Sequence, residues 1–534
     1  MGRNWPKPLV VSTAVLGAGA VAAGTFALTG CAGGSSDAGS GDGRNDDRQQ
    51  ESVPAPPPAG PAEKGPAPRA IPSVRDWQPV RGTGWKPSEH SRVVAGKASL
   101  EDEGRLLAKE LKIPFERTAK ARPGDVSLDQ GKGLGREEYE LTTRKGEVTI
   151  KGGGAGVFYG TRTLEQGIAD RGRIAEGTVR DEPDRPQRGF SLDVARKHFS
   201  ADWIEDRVKE MGERKLNQLQ LHLTDDQAFR IQSDSHPEVV SKPNLSKEQI
   251  RRIVKLAESR HISVIPEFDS PGHLGAVIKQ HPDLQLRDRN GAPTRGAVDI
   301  TKPKAGKIVD DLLKEYADLF PATYWHLGGD EYQALTKQNP EASYPELTAA
   351  ARKKYGSGGK VQDLATDWIN DRAETVRKLG KTPQVWNDGM HRQGRAKPQK
   401  GREVAYWTGK EIGARQPQEY LKEGWKTVNL NDEYLYYVLG QPNDFTYPTG
   451  ERIYKEWTPA VLRGSEAVPK SLSGPDKVPG GRFAVWGDIP DAQSQKQVAE
   501  GIRMPLAATA QKLWDPEKPG QSWPEFEKLA DRLE

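Results

Sequence analysis

From Arg188 onward the chain keeps one rhythm. Short runs rich in β-branched and aromatic residues end in polar residues and alternate with amphipathic stretches. The runs fall at 190–194, 219–223, 262–266, 324–327, 384–386, 404–407, 427–430 and 483–486. Between them, Ile308, Val309, Leu312, Leu313, Tyr316, Leu319 and Phe320 recur at helical spacing, as do Ile250, Ile253, Val254 and Ala257. Strand–helix alternation over about 350 residues predicts an α/β fold with a parallel sheet covered by helices. Eight repeats predict a closed (β/α)8 TIM barrel, whose functional residues gather at the C-terminal ends of its strands. The stretch 431–481 is long and irregular, so the last barrel unit is expected to be atypical.

The residues that follow these runs are polar in a consistent way. Strand two leads into Thr224, Asp225 and Asp226, and strand three into Glu267, Asp269 and His273. Strand four ends in Gly328, Gly329, Asp330 and Glu331, and strand five in Trp386, Asn387 and Asp388. Trp407 closes strand six, Asn429, Asn431 and Asp432 strand seven, and Trp486 and Asp488 strand eight. A single Asp at such a junction is ordinarily a helix N-cap, and a single Trp is ordinarily packing. Their sum is different. One rim would gather many carboxylates and three Trp, with few Lys or Arg to balance them. Carboxylates that bond to hydroxyls, beside flat rings that stack on C–H faces, fit a sugar.

The 534 residues divide further. Arg3 and Lys7 precede a charge-free apolar run, 9–28, which ends in Leu28, Thr29, Gly30 and Cys31, the one cysteine of the chain. Such a segment reads as an export signal, and a single membrane anchor is the alternative reading. A lone Cys excludes an intramolecular disulfide and a Cys-rich zinc site. Residues 32–72 are rich in Gly, Ser and Pro with no aromatic residue, the composition of a disordered tether. Residues 73–183 predict a small α+β domain: Glu147, Val148, Thr149 and Ile150 alternate like a strand. Gly152, Gly153 and Gly154 break it, and Val157 to Ile168 has helical spacing. Residues 184–534 form the barrel. Lys+Arg of 79 against Asp+Glu of 75 leaves a net +4, too little and too dispersed for nucleic-acid binding.

The sharpest element is His326, Leu327, Gly328, Gly329, Asp330, Glu331. Neighbouring strand residues point to opposite faces, so two adjacent carboxylates share a site only where the strand ends. Like charges side by side are expected to raise a carboxyl pKa, as a general acid needs.

This hexapeptide resembles the signature of glycoside hydrolase family 20, the β-N-acetylhexosaminidases. Arg188 to Phe199, Asn217 with His222 to Gln227, and Pro266 to His273 resemble further motifs of that family, in the same order. The segment around Gly156 to Leu164 is similar to its small N-terminal domain, and the tetrapeptide ending at Cys31 resembles a bacterial lipobox. The resemblance implies that the substrate's own 2-acetamido oxygen is the nucleophile. Glu331 is then implied as acid and base, Asp330 as acceptor of the acetamido N–H, and Tyr434 as donor to its oxygen. Arg188 is implied to bind sugar hydroxyls. Trp386 and Trp486, with Trp368 and Trp407, wall in the ring. Tyr436 and Asp488 contact substrate, and Asp193, Asp225, Asp269, His273 and His326 support the acids. No cofactor and no metal are implied. The partners expected are an N-acetylhexosamine-containing glycan and a membrane, reached through lipid on Cys31 outside the cytoplasm.

Two departures stand out. Many exo-acting members have Tyr-Leu-Asp where this chain has Tyr434, Leu435, Tyr436, and Trp-x-Glu where it has Trp486, Gly487, Asp488. These changes resemble the subgroup of lacto-N-biosidases and biofilm-degrading dispersins, which keeps disaccharide release and poly-N-acetylglucosamine hydrolysis open as alternatives. A lipoprotein that only binds sugar is the remaining one.

Overall fold

Eight parallel strands close into a barrel: β1 (Gln187–Asp193), β2 (Gln218–His222), β3 (Ser263–Glu267), β4 (Tyr324–His326), β5 (Thr382–Trp386), β6 (Glu403–Tyr406), β7 (Thr427–Asn429) and β8 (Gly480–Trp486). Each pairs in parallel with the next, and β8 pairs with β1 over Gly480↔Gln187 to Val485↔Leu192. All eight lie where the sequence rhythm places them, with no end shifted by more than three residues. Every residue of β1 and β8 is buried, the condition of a parallel sheet covered on both faces. The computed structural model describes residues 64–534 except 118–119, 393, 411–413, 442–444 and 518. The leader ending at Cys31, and the tether as far as residue 63, lie outside the described residues.

The helices form for local reasons. Helix Lys247–Glu258 starts at a Ser246 and Gln249 capping box and buries Ile250, Ile253, Val254 and Ala257. Helix Pro303–Glu315 has Pro at its first position and buries Ile308, Val309, Leu312 and Leu313. Among the described residues no helix is long and apolar enough to cross a membrane.

The irregular stretch after β7 has a definite use. β7 pairs with β8 only through Asn429↔Gly481. The chain then leaves the sheet, makes the short helix Asp432–Leu435, and returns as strand Tyr436–Val438 beside the upper half of β8, Tyr436↔Ala484 to Val438↔Trp486. The interruption places the Tyr436 ring on the rim beside that of Trp486, with centroids 5.7 Å apart.

The barrel interior carries a polar layer below that rim. Arg482 donates to Gln218 (2.8 Å), Gln220 (2.9 Å) and Gln384 (2.9 Å), and Gln384 and Gln187 donate to Glu403 (2.8 Å each). Gln220 in turn donates to Glu267 (2.7 Å). Burial pulls the Arg482 pKa down to about 10. A polar core is stable only when fully bonded, and here the carboxylates and amides answer the guanidinium.

The preceding domain is a seven-stranded sheet, in the order Asp76–Pro79, Gly177–Asp181, Tyr139–Arg144, Glu147–Gly152, Val126–Gln130, Val93–Ala95, Phe115–Arg117. Helix Gly154–Arg171 follows the expected Gly break and lies between this sheet and the barrel. Gly156 is required there, because a Cβ would sit 2.0 Å from the Glu138 carbonyl. Arg162 on this helix pairs with Glu110 (2.6 Å) and with Glu213 of the barrel (2.8 Å). Composition assigned residues 64–72 to the tether, and the structure corrects that boundary. Ala70 and Ile71 are buried, and the Ile71 N–H donates to Gln166 (2.9 Å).

Candidate active site

After His326 at the end of β4, Gly328 (φ 68°) and Gly329 (φ 95°) take left-handed backbone, which Gly adopts without steric penalty. A Cβ on Gly328 would lie 1.7 Å from Asp269 Oδ1. The turn is pinned by the Gly329 N–H, which donates to Asp269 Oδ1 (2.9 Å), and by the Gly328 N–H, which donates to His326 Nδ1 (3.1 Å). Glu331 itself has φ 43°, rare for a residue with a side chain. Its N–H donates to Asp388 Oδ2 (2.8 Å), while Asp388 Oδ1 accepts from Trp407 Nε1 (3.0 Å). One carboxyl thus ties the backbone of Glu331 to an aromatic ring on the next strand but one.

His273, beyond β3, joins the acids to the rest of the rim. Its Nε2 lies 3.6 Å from Asp330 Oδ2 and 3.5 Å from Glu331 Oε2, and its Nδ1 lies 3.2 Å from Asp225 Oδ2. Asp225 also meets His222 (2.9 Å) and Arg196 (2.8 Å), and His222 reaches Glu267 (3.2 Å). Asp193 fixes Arg196 through Oδ2 (3.0 Å) and accepts the N–H of Gly487 (3.0 Å), which links β1 to the β8 loop.

These contacts set the charges. Burial alone would lower the His273 pKa, but Asp330, Asp225 and Asp269 outweigh it and hold it well above the usual histidine value. Burial likewise opposes charge on His222, but Glu267 and Asp225 lift it to about 10. Burial and then the nearby Asp330 push both Asp269 and Asp388 well above the carboxylate range. Glu331 moves the other way: the His273 imidazole beside it lowers its pKa against the effect of burial. The expected rise from neighbouring like charge is therefore corrected for Glu331. The like-charge penalty falls on Asp269 and Asp388, which lack a cation at that distance.

Four rings close the site. Trp386 and Trp486 have centroids 5.9 Å apart, and Tyr436 and Trp486 5.7 Å. Trp407 stacks on Tyr436 at 5.7 Å with planes 4° apart. Trp386 donates to Glu267 (2.7 Å) and lies 4.4 Å from the His326 ring. The cavity of about 280 Å³ beneath them is lined by Asp330, Glu331, Trp407, Tyr436, Trp486, Asp488 and Arg196, and continues past Thr408, Lys410, Asp432 and Phe445. A second cavity of about 350 Å³ adjoins it at Arg196, Glu331 and Asp488, with His273, Asp226, Gln227, Arg295 and Gln333 on its walls. In the first cavity Asp330 Oδ1 is buried and has no hydrogen-bond partner among the described residues. The Tyr436 hydroxyl makes no hydrogen bond among the described residues, and burial first, then Asp432 and Asp330, hold its pKa well above the usual phenol value. Trp486 Nε1 is also buried and unpartnered.

Of the residues named from sequence, Asp330, Glu331, Trp386, Trp407, Tyr436, Trp486 and Asp488 come together here. Asp193, Asp225, Asp269, His273 and His326 lie around them. Trp386 backs Trp486 without lining the cavity, and three residues lie away from it altogether. Arg188 lies at the N-terminal end of β1, at the floor of the barrel, buried against Glu137 (2.8 Å) and Tyr159 (3.0 Å). Tyr434 turns outward: its hydroxyl donates to Glu456 (3.2 Å) and Arg452 lies over its ring at 4.1 Å. Trp368 sits in helix Val361–Lys378, donating to Ser270 (3.0 Å) under Arg372. Sequence reasoning placed Asp388 on the rim without a role of its own and gave Arg196 none. Arg196 follows the C-terminal end of β1 whereas Arg188 precedes its centre, so strand polarity was a signal that favoured Arg196.

Two clusters here, His222 with Glu267 and Asp269, and Asp269 with His273 and Asp330, bring ligand-type atoms within 4.8 Å. Their imidazoles are engaged by carboxylates, His222 by Asp225 and Glu267 and His273 by Asp225.

A family model described as "Glycosyl hydrolase family 20, catalytic domain" matches residues 186–517, and "Glycosyl hydrolase family 20, domain 2" matches residues 67–182. A lacto-N-biosidase of Bifidobacterium bifidum is 29% identical over 87% of this chain, which spans 41% of that protein. A β-hexosaminidase of Porphyromonas gingivalis is 26% identical over 56% of this chain, which spans 43% of it. Among solved structures, the β-N-acetylhexosaminidase of Streptomyces coelicolor A3(2) superposes with a TM-score of 0.71 at 23% identity, over 88% of this chain and 96% of that one. At that identity the likeness establishes the fold. With the catalytic-domain model covering most of the chain, the protein belongs to glycosyl hydrolase family 20.

Proposed function

We propose that this chain is a retaining β-N-acetylhexosaminidase that uses the substrate's 2-acetamido group as nucleophile. The observation that carries the reading is that one aromatic cavity holds a buried acceptor without a partner among the described residues, Asp330 Oδ1, and a donor, the Tyr436 hydroxyl, that bonds none of them. An amide presents an N–H and a C=O, and needs one of each. Asp330 accepts the acetamido N–H and Tyr436 donates to its oxygen, which aims that oxygen at C1. The oxygen forms its bond to C1 as the glycosidic C–O bond breaks, and Glu331 gives its proton to the departing oxygen. Asp330 then faces the positive charge of the oxazolinium ring at close range. Water attacks C1 in the second step, its proton passes to Glu331, and the C1–acetamido bond opens. Two inversions give retention, and no protein carboxylate attacks the sugar, an exception to the two-carboxylate scheme.

Disaccharide release is a second reading, favoured by the continuation of the cavity beyond Tyr436 toward Lys410, Asp432 and Phe445. The relative named a lacto-N-biosidase supports it. Lipid attachment at Cys31 and residence on the outer face of a membrane remain part of the proposal, supported by the leader composition. To test the whole, the full chain is incubated with p-nitrophenyl N-acetyl-β-glucosaminide and with lacto-N-tetraose, and the products are identified. Turnover should vanish in Glu331→Gln and a thiazoline mimic of the intermediate should inhibit. Equal hydrolysis of a glucoside without the amide overturns substrate assistance.

A further inference from the structure

We propose that His236, Glu238 and His281 form a binding site for one divalent transition-metal ion, with Zn2+ the ion their chemistry fits. His236 immediately precedes the turn Pro237–Val239 in the long β2 loop, and His281 immediately follows helix Gly275–Gln280 after β3. The turn and the helix lie against each other. None of the three residues lines the catalytic cavities.

The ligand atoms already converge. Glu238 Oε1 lies 3.1 Å from His236 Nδ1 and 3.0 Å from His281 Nε2, and all three ligand atoms fall within 4.8 Å of one another. Around a tetrahedral zinc with bonds near 2.0–2.1 Å, ligands stand about 3.4 Å apart. A small relaxation therefore seats an ion. One carboxylate oxygen facing two imidazoles is also what remains when a cation's place is taken by two N–H protons. The outer support is present as well. His236 Nε2, buried and without a hydrogen-bond partner among the described residues, faces Asp311 Oδ2 at 3.5 Å, and Asp311 is itself held by Lys307. A carboxylate behind a ligating imidazole fixes its tautomer and raises its basicity. Two imidazoles and one carboxylate suit zinc over magnesium or calcium, which take oxygen ligands. The side chains are 16%, 39% and 17% exposed, which leaves a fourth position open to water.

Bound metal would join the outer parts of two rim loops. One begins at Asp225 and the other carries His273, and these are the residues that hold the Glu331 environment. The ion acts on loop order and thermal stability without touching substrate.

The test uses the full, tag-free chain stripped with a chelator and titrated with ZnCl2 by calorimetry, with MgCl2 as control. Melting is followed in parallel. One saturable Zn2+ site per chain is expected, with a raised melting temperature and no response to MgCl2. His281→Ala and Glu238→Gln should each weaken it by about 100-fold or more, and Asp311→Asn by about 10- to 100-fold. Turnover of the p-nitrophenyl substrate should persist in these variants, which reports that they fold. Three results overturn the proposal: no saturable heat, unchanged affinity in both His281→Ala and Glu238→Gln, or loss of binding only in Asp330→Asn.

Discussion

Tyr436→Phe and Tyr434→Phe form a matched pair that decides which phenol serves the reaction. Both tyrosines are buried and two residues apart. Tyr434 spends its hydroxyl on Glu456, while the Tyr436 hydroxyl makes no hydrogen bond among the described residues of the catalytic cavity. Phe keeps the ring, so the Tyr436 stack on Trp407 at 5.7 Å survives and only the hydroxyl is lost. In the complex the acetamido oxygen would then be buried with no donor. An unsatisfied buried acceptor costs about 1–3 kcal/mol, so kcat/KM should fall by about 5- to 150-fold at about 1.4 kcal/mol per factor of ten. The loss should appear mainly in kcat, because orienting the nucleophile matters most as its bond to C1 forms. Tyr434→Phe removes a bond to a half-exposed carboxylate and should leave both constants within twofold. The assay is steady-state hydrolysis of p-nitrophenyl N-acetyl-β-glucosaminide, with melting temperatures to confirm folding. The reasoning is refuted if Tyr434→Phe costs as much as Tyr436→Phe, or if the Tyr436 loss is equally large in KM alone.

Arg188→Met should behave as a stability variant. Arg188 is 1% exposed and pairs with Glu137, so its removal strands a largely buried carboxylate at a cost of about 3–5 kcal/mol; urea unfolding should register that loss while KM at low temperature stays put. His273→Gln removes the group that lowers the Glu331 pKa. Glu331 must be protonated to act as acid, so the alkaline limb of kcat/KM should move to higher pH even as its maximum falls. His222 gives a stability trend: its folded pKa is raised from 6.5 to about 10, so the folded state holds an extra proton between those values. That contribution is complete below pH 6.5 and fades as pH rises through about 10. Urea midpoints should therefore decline across this window, and a flat profile would count against the His222 and Glu267 pairing.

The barrel was legible because its signal is redundant: eight buried parallel strands must each be apolar, short and followed by polar residues. Asp330 and Glu331 were legible because two Gly before two acids have few other uses. What the sequence hid is direction. Tyr434 and Tyr436 flank Leu435, and their fates depend on the chain ending the helix Asp432–Leu435 at that point and resuming beside β8. Trp368 carries the right ring, but it belongs to a helix whose buried face meets Ser270 rather than the rim. Arg188 and Arg196 both stand in a quoted motif, and only the polarity of β1 separates the floor from the mouth. Asp388 reads in sequence only as one more rim carboxylate; its role comes from two long-range bonds, to Glu331 and to Trp407, that no local pattern encodes.

The protonation pattern explains how adjacent acids divide one task. Asp269, Asp330, Glu331 and Asp388 crowd one rim, and full ionisation of all four would be strongly unfavourable. The proton load settles on the buried Asp269 and on Asp388, while His273 stands beside both Asp330 and Glu331. In the free enzyme Glu331, 37% exposed, is therefore held toward its ionised form. In the proposed reaction, a sugar entering the cavity changes the balance on both sides. It strips water from Glu331, which favours the neutral acid, and its acetamido N–H engages Asp330, which must stay ionised to face a cation. In that reaction the proton transfer thus falls to Glu331 and the hydrogen bond to the acetamido N–H to Asp330. An outside nucleophile would not couple those states to the presence of the amide; a nucleophile carried by the sugar does.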